Sequence, residues 1–151
     1  MRPSFSASSS GVPPGDVVTL SGKRGILARE RPLDNLRRPK VGKYSVYVQD
    51  FEDLTLPLLL DGSQSGCELL VIDEVGKMEL LSKRFEAAMA SVLQHQRPFL
   101  VTMPQAGRQS LPLVERLKSL PGAVIYEVTK GNRDALVNEI TQRITQSKLL
   151  A

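Results

Sequence analysis

The sequence predicts an α/β fold, a mainly parallel sheet with helices on both faces, and its apolar patterning carries that prediction. A continuous apolar run stands at Leu69–Ile72, as a strand buried on both faces requires, and Phe99–Met103 and Ala123–Val128, apolar apart from Thr102 and Glu127, read as further strands. Between and after them apolar residues recur at helical spacing: Phe85, Ala88, Met89, Val92 and Leu93; then Leu113, Val114, Leu117 and Leu120; then Leu136, Val137, Ile140 and Ile144. Strands alternating with helices of this length imply βαβ crossovers, and such crossovers build parallel sheets.

Residues 1–15 are rich in Ser, Pro and Gly without a hydrophobic period, so they read as a disordered leader ahead of a folded domain at 16–151. Val17, Val18 and Leu20 form a β-prone run closed by Ser21 and Gly22, and Tyr44, Val46 and Val48 alternate as in a half-buried strand. The basic, Pro-containing stretch between them reads as a loop. Phe51, Leu54 and Leu58 behind an Asp50 N-cap predict a short helix, with Pro57 placed uncomfortably late for it. Leu69–Ile72 stops abruptly at Asp73 and Glu74. Ser82 caps the helix of Phe85, Pro121 and Gly122 end the next helix, and Asn132 stands at the N-cap of the last.

A chain of 151 residues is the size of one domain, and 41% hydrophobic with 24% charged residues excludes disorder throughout. Twenty Lys and Arg against sixteen Asp and Glu leave a basic excess, densest from Lys23 to Lys43. Such a patch suits the phosphates of nucleotide or nucleic acid, but no basic run is interleaved with stacking aromatics. A solvated basic face therefore stands ahead of nucleic-acid binding. Cys67 is alone, which excludes an intrachain disulfide and points to a reducing compartment. The longest apolar run, Leu54–Leu60, is interrupted by Thr55 and Pro57 and falls far short of the roughly 20 residues that span a bilayer, so no membrane partner is expected. Met1–Gly11 has neither the apolar core of a secretory signal nor the repeated Arg of a transit peptide. The expected location is cytoplasmic, with mitochondria the alternative.

In open parallel sheets ligands sit beyond the carboxyl ends of the strands. The residues there are Asp73-Glu74, then Pro104-Gln105 with Thr102 just inside, then Thr129-Lys130-Gly131-Asn132. Two adjacent carboxylates at a strand end suit triphosphate hydrolysis, since one acid holds Mg²⁺ and the other orients or deprotonates the attacking water. By spacing alone the same pair also fits acids that cap the next segment or stay in solvent. His95, at a helix end, reads as a solvated residue favoured by the helix dipole rather than as a general base.

Val71-Ile72-Asp73-Glu74-Val75-Gly76-Lys77-Met78-Glu79-Leu80 closely resembles the Walker B segment of the cancer-related nucleoside-triphosphatase family. Asp16–Gly25, Val41–Tyr44 and Val128–Arg133 resemble further segments of that family in the same order. The resemblance implies a P-loop NTPase-like (RecA-like) three-layer sandwich. It implies an enzyme that hydrolyses nucleoside triphosphates such as ATP or GTP to diphosphate and phosphate with Mg²⁺. Asp73 would be the metal acid, Glu74 the catalytic carboxylate, and Thr102 a sensor of γ-phosphate or water. Thr129, Asn132 and Arg133 would lie near the base or ribose. Thr102 also reads as a β-favouring strand residue, and Asn132 as a helix cap.

The family's P-loop, ending in Gly-Lys-Ser/Thr, wraps phosphates with backbone amides. Here Gly22-Lys23 continues into Arg24, Gly42-Lys43 into Tyr44 and Gly76-Lys77 into Met78, so no such motif is present in these residues. The first strand, P-loop and helix of the fold are expected to be missing, as in an alternative start, an alternative exon or an incorrect gene model. Losing that central strand should leave neighbouring strand edges unpaired and stability marginal. The alternative to an active enzyme is a catalytically inactive truncated isoform that acts as an interaction or regulatory protein.

Overall fold

A strand exists where a neighbour supplies backbone partners, and that requirement decides several elements that side-chain pattern alone does not. The computed structural model describes residues 4–6, 15–61, 69–95, 98–105, 107 and 110–149. Its elements are β1 (Ser4–Ser6), β2 (Asp16–Thr19), β3 (Arg24–Ile26), β4 (Ala28–Arg29), β5 (Lys40–Val41), β6 (Tyr44–Val46), α1 (Val48–Asp61), β7 (Leu70–Asp73), α2 (Lys83–Gln94), β8 (Phe99–Val101), α3 (Pro112–Lys118) and α4 (Arg133–Leu149). Cys67 lies outside the described residues. No described helix is long and apolar enough to cross a membrane.

The main sheet runs β3-β2-β1-β7-β8. β1 pairs parallel with β7, placing Ser6 beside Asp73, and β7 pairs parallel with β8, placing Ile72 beside Val101. β2 is antiparallel to both β1 and β3. The fold is thus α/β with a mixed sheet whose parallel part surrounds β7.

Ser4–Ser6 bonds to both β2 and β7, so the edges these two strands turn toward β1 are paired. These three residues lie within the stretch 1–15 that the sequence pattern leaves without a period. Three residues are too few to show a side-chain period, whereas backbone N–H and C=O groups pair regardless of composition.

The basic stretch expected to be a loop is also partly sheet. β4, β6 and β5 form a second, antiparallel sheet, and Gly42, at φ +58°, turns β5 into β6 through a two-residue connection. Its basic residues carry ion pairs and ring contacts. The Arg29 guanidinium meets buried Asp16 at 2.5 Å, Arg38 forks onto Asp34 at 2.6 and 2.9 Å, and the Arg38 guanidinium lies 3.9 Å from the Tyr47 ring centre.

α1 begins at Val48, earlier than the Asp50 cap predicts, so Asp50 lies in its first turn, where a carboxylate favours the helix dipole. Pro57 stays inside the helix although it has no N–H to donate. Burial compensates: Phe51, Thr55, Leu56 and Leu59 are all buried. α2 starts as predicted, with Ser82 Oγ accepting from Phe85 N at 2.9 Å. Ser82 Oγ also donates to the buried Glu52 carboxylate at 2.6 Å, tying α2 to α1, and the Phe51 and Phe85 rings meet at 5.0 Å. With Ile72, Met89, Val17 and Val75 these rings form the core.

The chain divides into one unit reaching to Val114 and a second from Glu115. In the second unit the buried strand expected at Ala123–Val128 is absent. That segment carries no strand assignment, and Val124, Ile125 and Val128 are 47%, 58% and 61% exposed. Apolar composition supplies no hydrogen-bond partner, and no strand occurs among the described residues of that unit. α4 follows, with Leu136 buried and Ile140 and Ile144 half-buried, while Val137 is exposed.

Candidate active site

β7 rises between two parallel neighbours and delivers Asp73 to the carboxyl end of the sheet. Ile72 and Val75 are fully buried and anchor the chain on both sides, so the two residues between them, Asp73 and Glu74, are carried out to the surface. The peptide bond joining them is cis.

Thr102, the residue after β8, is stitched to this strand end through three bonds. Its N–H donates to Ile72 O at 3.0 Å, its carbonyl accepts from Val75 N at 2.9 Å, and its hydroxyl donates to Asp73 Oδ1 at 2.5 Å. This short hydroxyl-to-carboxyl bond fixes one oxygen of the acid. Glu74, one residue farther out, is exposed.

The turn then folds back. Leu80 N donates to Gly76 O at 3.1 Å, and Gly76 N donates to Glu79 Oε2 at 3.0 Å. Glu79 is only 6% exposed, a placement that nothing in the sequence pattern announces. Its pKa is pushed up to about 7, first by burial and also by the nearby charges of Glu74 and Asp73, against hydrogen bonds from Gly76 N–H and its own N–H. Lys77 is exposed, in line with its reading as a surface charge.

The residues assigned to the base or ribose form a cluster of their own, in the second unit. Thr129 N donates to Asn132 Oδ1 at 2.7 Å, Asn132 N donates to Thr129 Oγ1 at 3.2 Å, and Asn132 Nδ2 donates to Glu127 O at 2.8 Å. Asn132 stands just before α4, but its side chain reaches back into the preceding loop instead of bonding the first-turn amides. Arg133 opens α4, with Nε 4.0 Å from Asp134 Oδ1. The structure therefore brings Asp73, Glu74 and Thr102 together at one strand end, and Thr129, Asn132 and Arg133 together in another loop. His95 ends α2, its Nδ1 2.9 Å from Ser91 O, away from both groups in its bonding.

A parallel inner strand that ends in adjacent acids, within a mixed α/β sheet, is an arrangement that P-loop NTPase-like folds share, and the solved structures similar to this chain have that fold. The family model described as NTPase matches residues 15–141, and the chain belongs to that family. It is 38% identical over 125 residues to the nucleoside-triphosphatase THEP1 of Thermotoga petrophila, covering 82% of this chain and 65% of that one. It is 40% identical over 139 residues to the cancer-related nucleoside-triphosphatase homolog of Bos taurus, covering 88% and 73%. The chain thus spans just under two thirds of the Thermotoga relative's length. Among solved structures it is similar to the crystal structure of THEP1 from Aquifex aeolicus, with a TM-score of 0.74 and 30% identity, covering 91% of this chain and 81% of that one. The solution structure of a human cancer-related nucleoside triphosphatase gives a TM-score of 0.75 and 35% identity, covering 97% and 82%.

Proposed function

We propose that the end of β7 is the hydrolytic site of a nucleoside-triphosphatase acting on ATP, GTP or a related triphosphate with Mg²⁺. The observation that carries this reading is the Thr102 hydroxyl on Asp73 Oδ1, which immobilises the first acid and leaves the second exposed one residue beyond it. Among the described residues no three acidic, His or Cys side chains are grouped to hold a metal; Asp73 would offer a carboxylate oxygen, the donor type Mg²⁺ takes. The charges of Glu74 and Asp73 reach the buried Glu79 carboxyl and add to the effect of burial in raising its pKa. When bound, Mg²⁺ supplies charge neutralisation on the β- and γ-phosphate oxygens.

Asp73 would hold that ion, and Thr102 keeps its carboxylate in one orientation. Glu74 would take the proton of a water in line with the γ-phosphate. The bonds that Thr129 and Asn132 make with each other and with Glu127 order the loop ahead of Arg133, and these three residues would lie near a base or ribose by family resemblance alone.

A second reading rests on one sequence observation: none of the Gly-Lys pairs runs on into Ser or Thr. Acids alone do not hold a triphosphate in attack geometry. The 151-residue chain by itself would then act as a non-hydrolysing interaction or regulatory form. Phosphate release from ATP and GTP separates the readings, measured on this chain and on a chimera carrying a relative's strand, P-loop and helix ahead of Asp16. In the active protein Asp73→Asn should raise the Mg²⁺ concentration needed for half-maximal rate by ~10-fold or more, because one ligand charge is lost. An unchanged Mg²⁺ requirement would remove Asp73 from the metal site.

A further inference from the structure

Glu79 is a glutamate where packing alone favours an apolar side chain, since burying a carboxyl is costly unless it is hydrogen-bonded. Its Oε2 accepts from Gly76 N at 3.0 Å. A Cβ built on Gly76 would sit 2.9 Å from Glu74 Oε1 and 3.2 Å from Glu79 Oε2. The carboxylates of Glu74 and Glu79 therefore converge over the same glycine, in space that any side chain at position 76 would take. The turn is held from both directions: Val75 N–H is bonded to Thr102 O, and Gly76 N–H to Glu79. Glu74 stands between this anchored pair and Asp73, itself fixed by Thr102, so its direction follows from that of its neighbours.

We propose that Glu79 is a positioning residue for Glu74, acting through Gly76: it fixes the amide after Val75, and Gly76 leaves the space in which the Glu74 carboxylate lies. The reading of Glu74 as the water-orienting group gives this geometry its purpose, and the proposal rests on that reading for its function. A carboxylate serves here where methionine, of similar length, does not, because the role needs an acceptor. The upward pull on the Glu79 pKa agrees with a buried acid facing other acids, and the neutral form still accepts through its carbonyl oxygen.

The test uses the full chain, isotope-labelled, and reads geometry by NMR. Glu79→Met fills the same space without an acceptor, and Glu79→Gln keeps one. In Glu79→Met, Gly76 amide exchange should rise about 2- to 10-fold, the worth of one neutral hydrogen bond, and the Glu74 χ1 couplings should move toward rotamer averaging. In Glu79→Gln both should stay close to wild type. If Met keeps the amide protected and the Glu74 couplings unchanged, or if Gln loses as much as Met, the proposal is wrong. Should the Met variant not fold, Gly76→Ala carries the test. It keeps the Glu79 acceptor, so the amide at 76 should remain protected while the Glu74 couplings shift, and an unshifted Glu74 overturns the proposal. These readouts involve no hydrolysis, so a failure of the functional reading appears in phosphate release and a failure of the positioning appears here.

Discussion

The two units of the chain hold their polar residues in different ways. In the first, the acids stand at the end of a strand hemmed in on both sides, and each polar anchor is also a tertiary contact: Thr102 joins β8 to β7, and Ser82 joins α2 to α1 through Glu52. In the second, Thr129, Asn132 and Glu127 bond one another within a few residues, while Val124, Ile125 and Val128 remain exposed. The difference is one of rigidity. Side chains fixed through distant elements keep their geometry as long as the core stands, whereas a local turn keeps its own shape but fixes little else.

The largest expected effect that sharpens this contrast is on the core. Phe85 is fully buried against Phe51, so Phe85→Ala should cost about 3–5 kcal/mol in denaturant unfolding. Val128→Ala, at a residue 61% exposed, should stay within about 0.5 kcal/mol. Equal losses at the two positions would erase the distinction between the units.

Next in size is the pH response of Glu79. Its folded pKa, about 7, lies above the ordinary 4.5, so the folded state binds the proton more tightly. The associated stability is full below about pH 4.5 and is lost as pH rises toward and through 7. Each tenfold difference in proton affinity between folded and unfolded chains is worth about 1.4 kcal/mol, which puts a few kcal/mol at stake. Urea midpoints across this window should fall with rising pH in wild type, beyond any slope shared with Glu79→Gln, and the Gln variant should be the flatter of the two. Parallel curves would mean that Glu79 titrates normally.

The smallest effect belongs to the second loop. Asn132→Ala removes bonds to Thr129 and Glu127 and should cost at most about 1 kcal/mol. Faster amide exchange should be confined to Thr129 and the first turn of α4. Loss of the α2 or β7 amides as well would show that the loop supports more than itself.

What the sequence makes legible is what a run of side chains can encode. The helical spacing around Phe85 and the Ser82 cap locate α2, and an apolar run cut off by two acids locates the end of β7. Pairing is a relation between segments, so β1, with only Ser4–Ser6, leaves no readable pattern, and neither do the two-residue strands β4 and β5. The same limit misplaces a strand at Ala123–Val128, where the composition is right but no strand forms. At the site, Asp73 and Glu74 are readable from the strand end. The Thr102–Asp73 bond depends on register between β7 and β8, and the burial of Glu79 depends on a turn closing over it, so neither is visible in spacing.

The assignment of the water-activating step to Glu74, at the end of β7, meets its most direct test in Glu74→Gln, placed in the chimera that carries a relative's P-loop ahead of Asp16. Triphosphate binding and phosphate release are compared with those of the unmutated chimera. Binding should be nearly unchanged and turnover lower by at least ~10²-fold, as expected when a positioned base is removed and the groups that grip the phosphates are kept. Turnover at the unmutated rate would contradict the assignment and leave Glu74 as no more than a charge at the end of a strand.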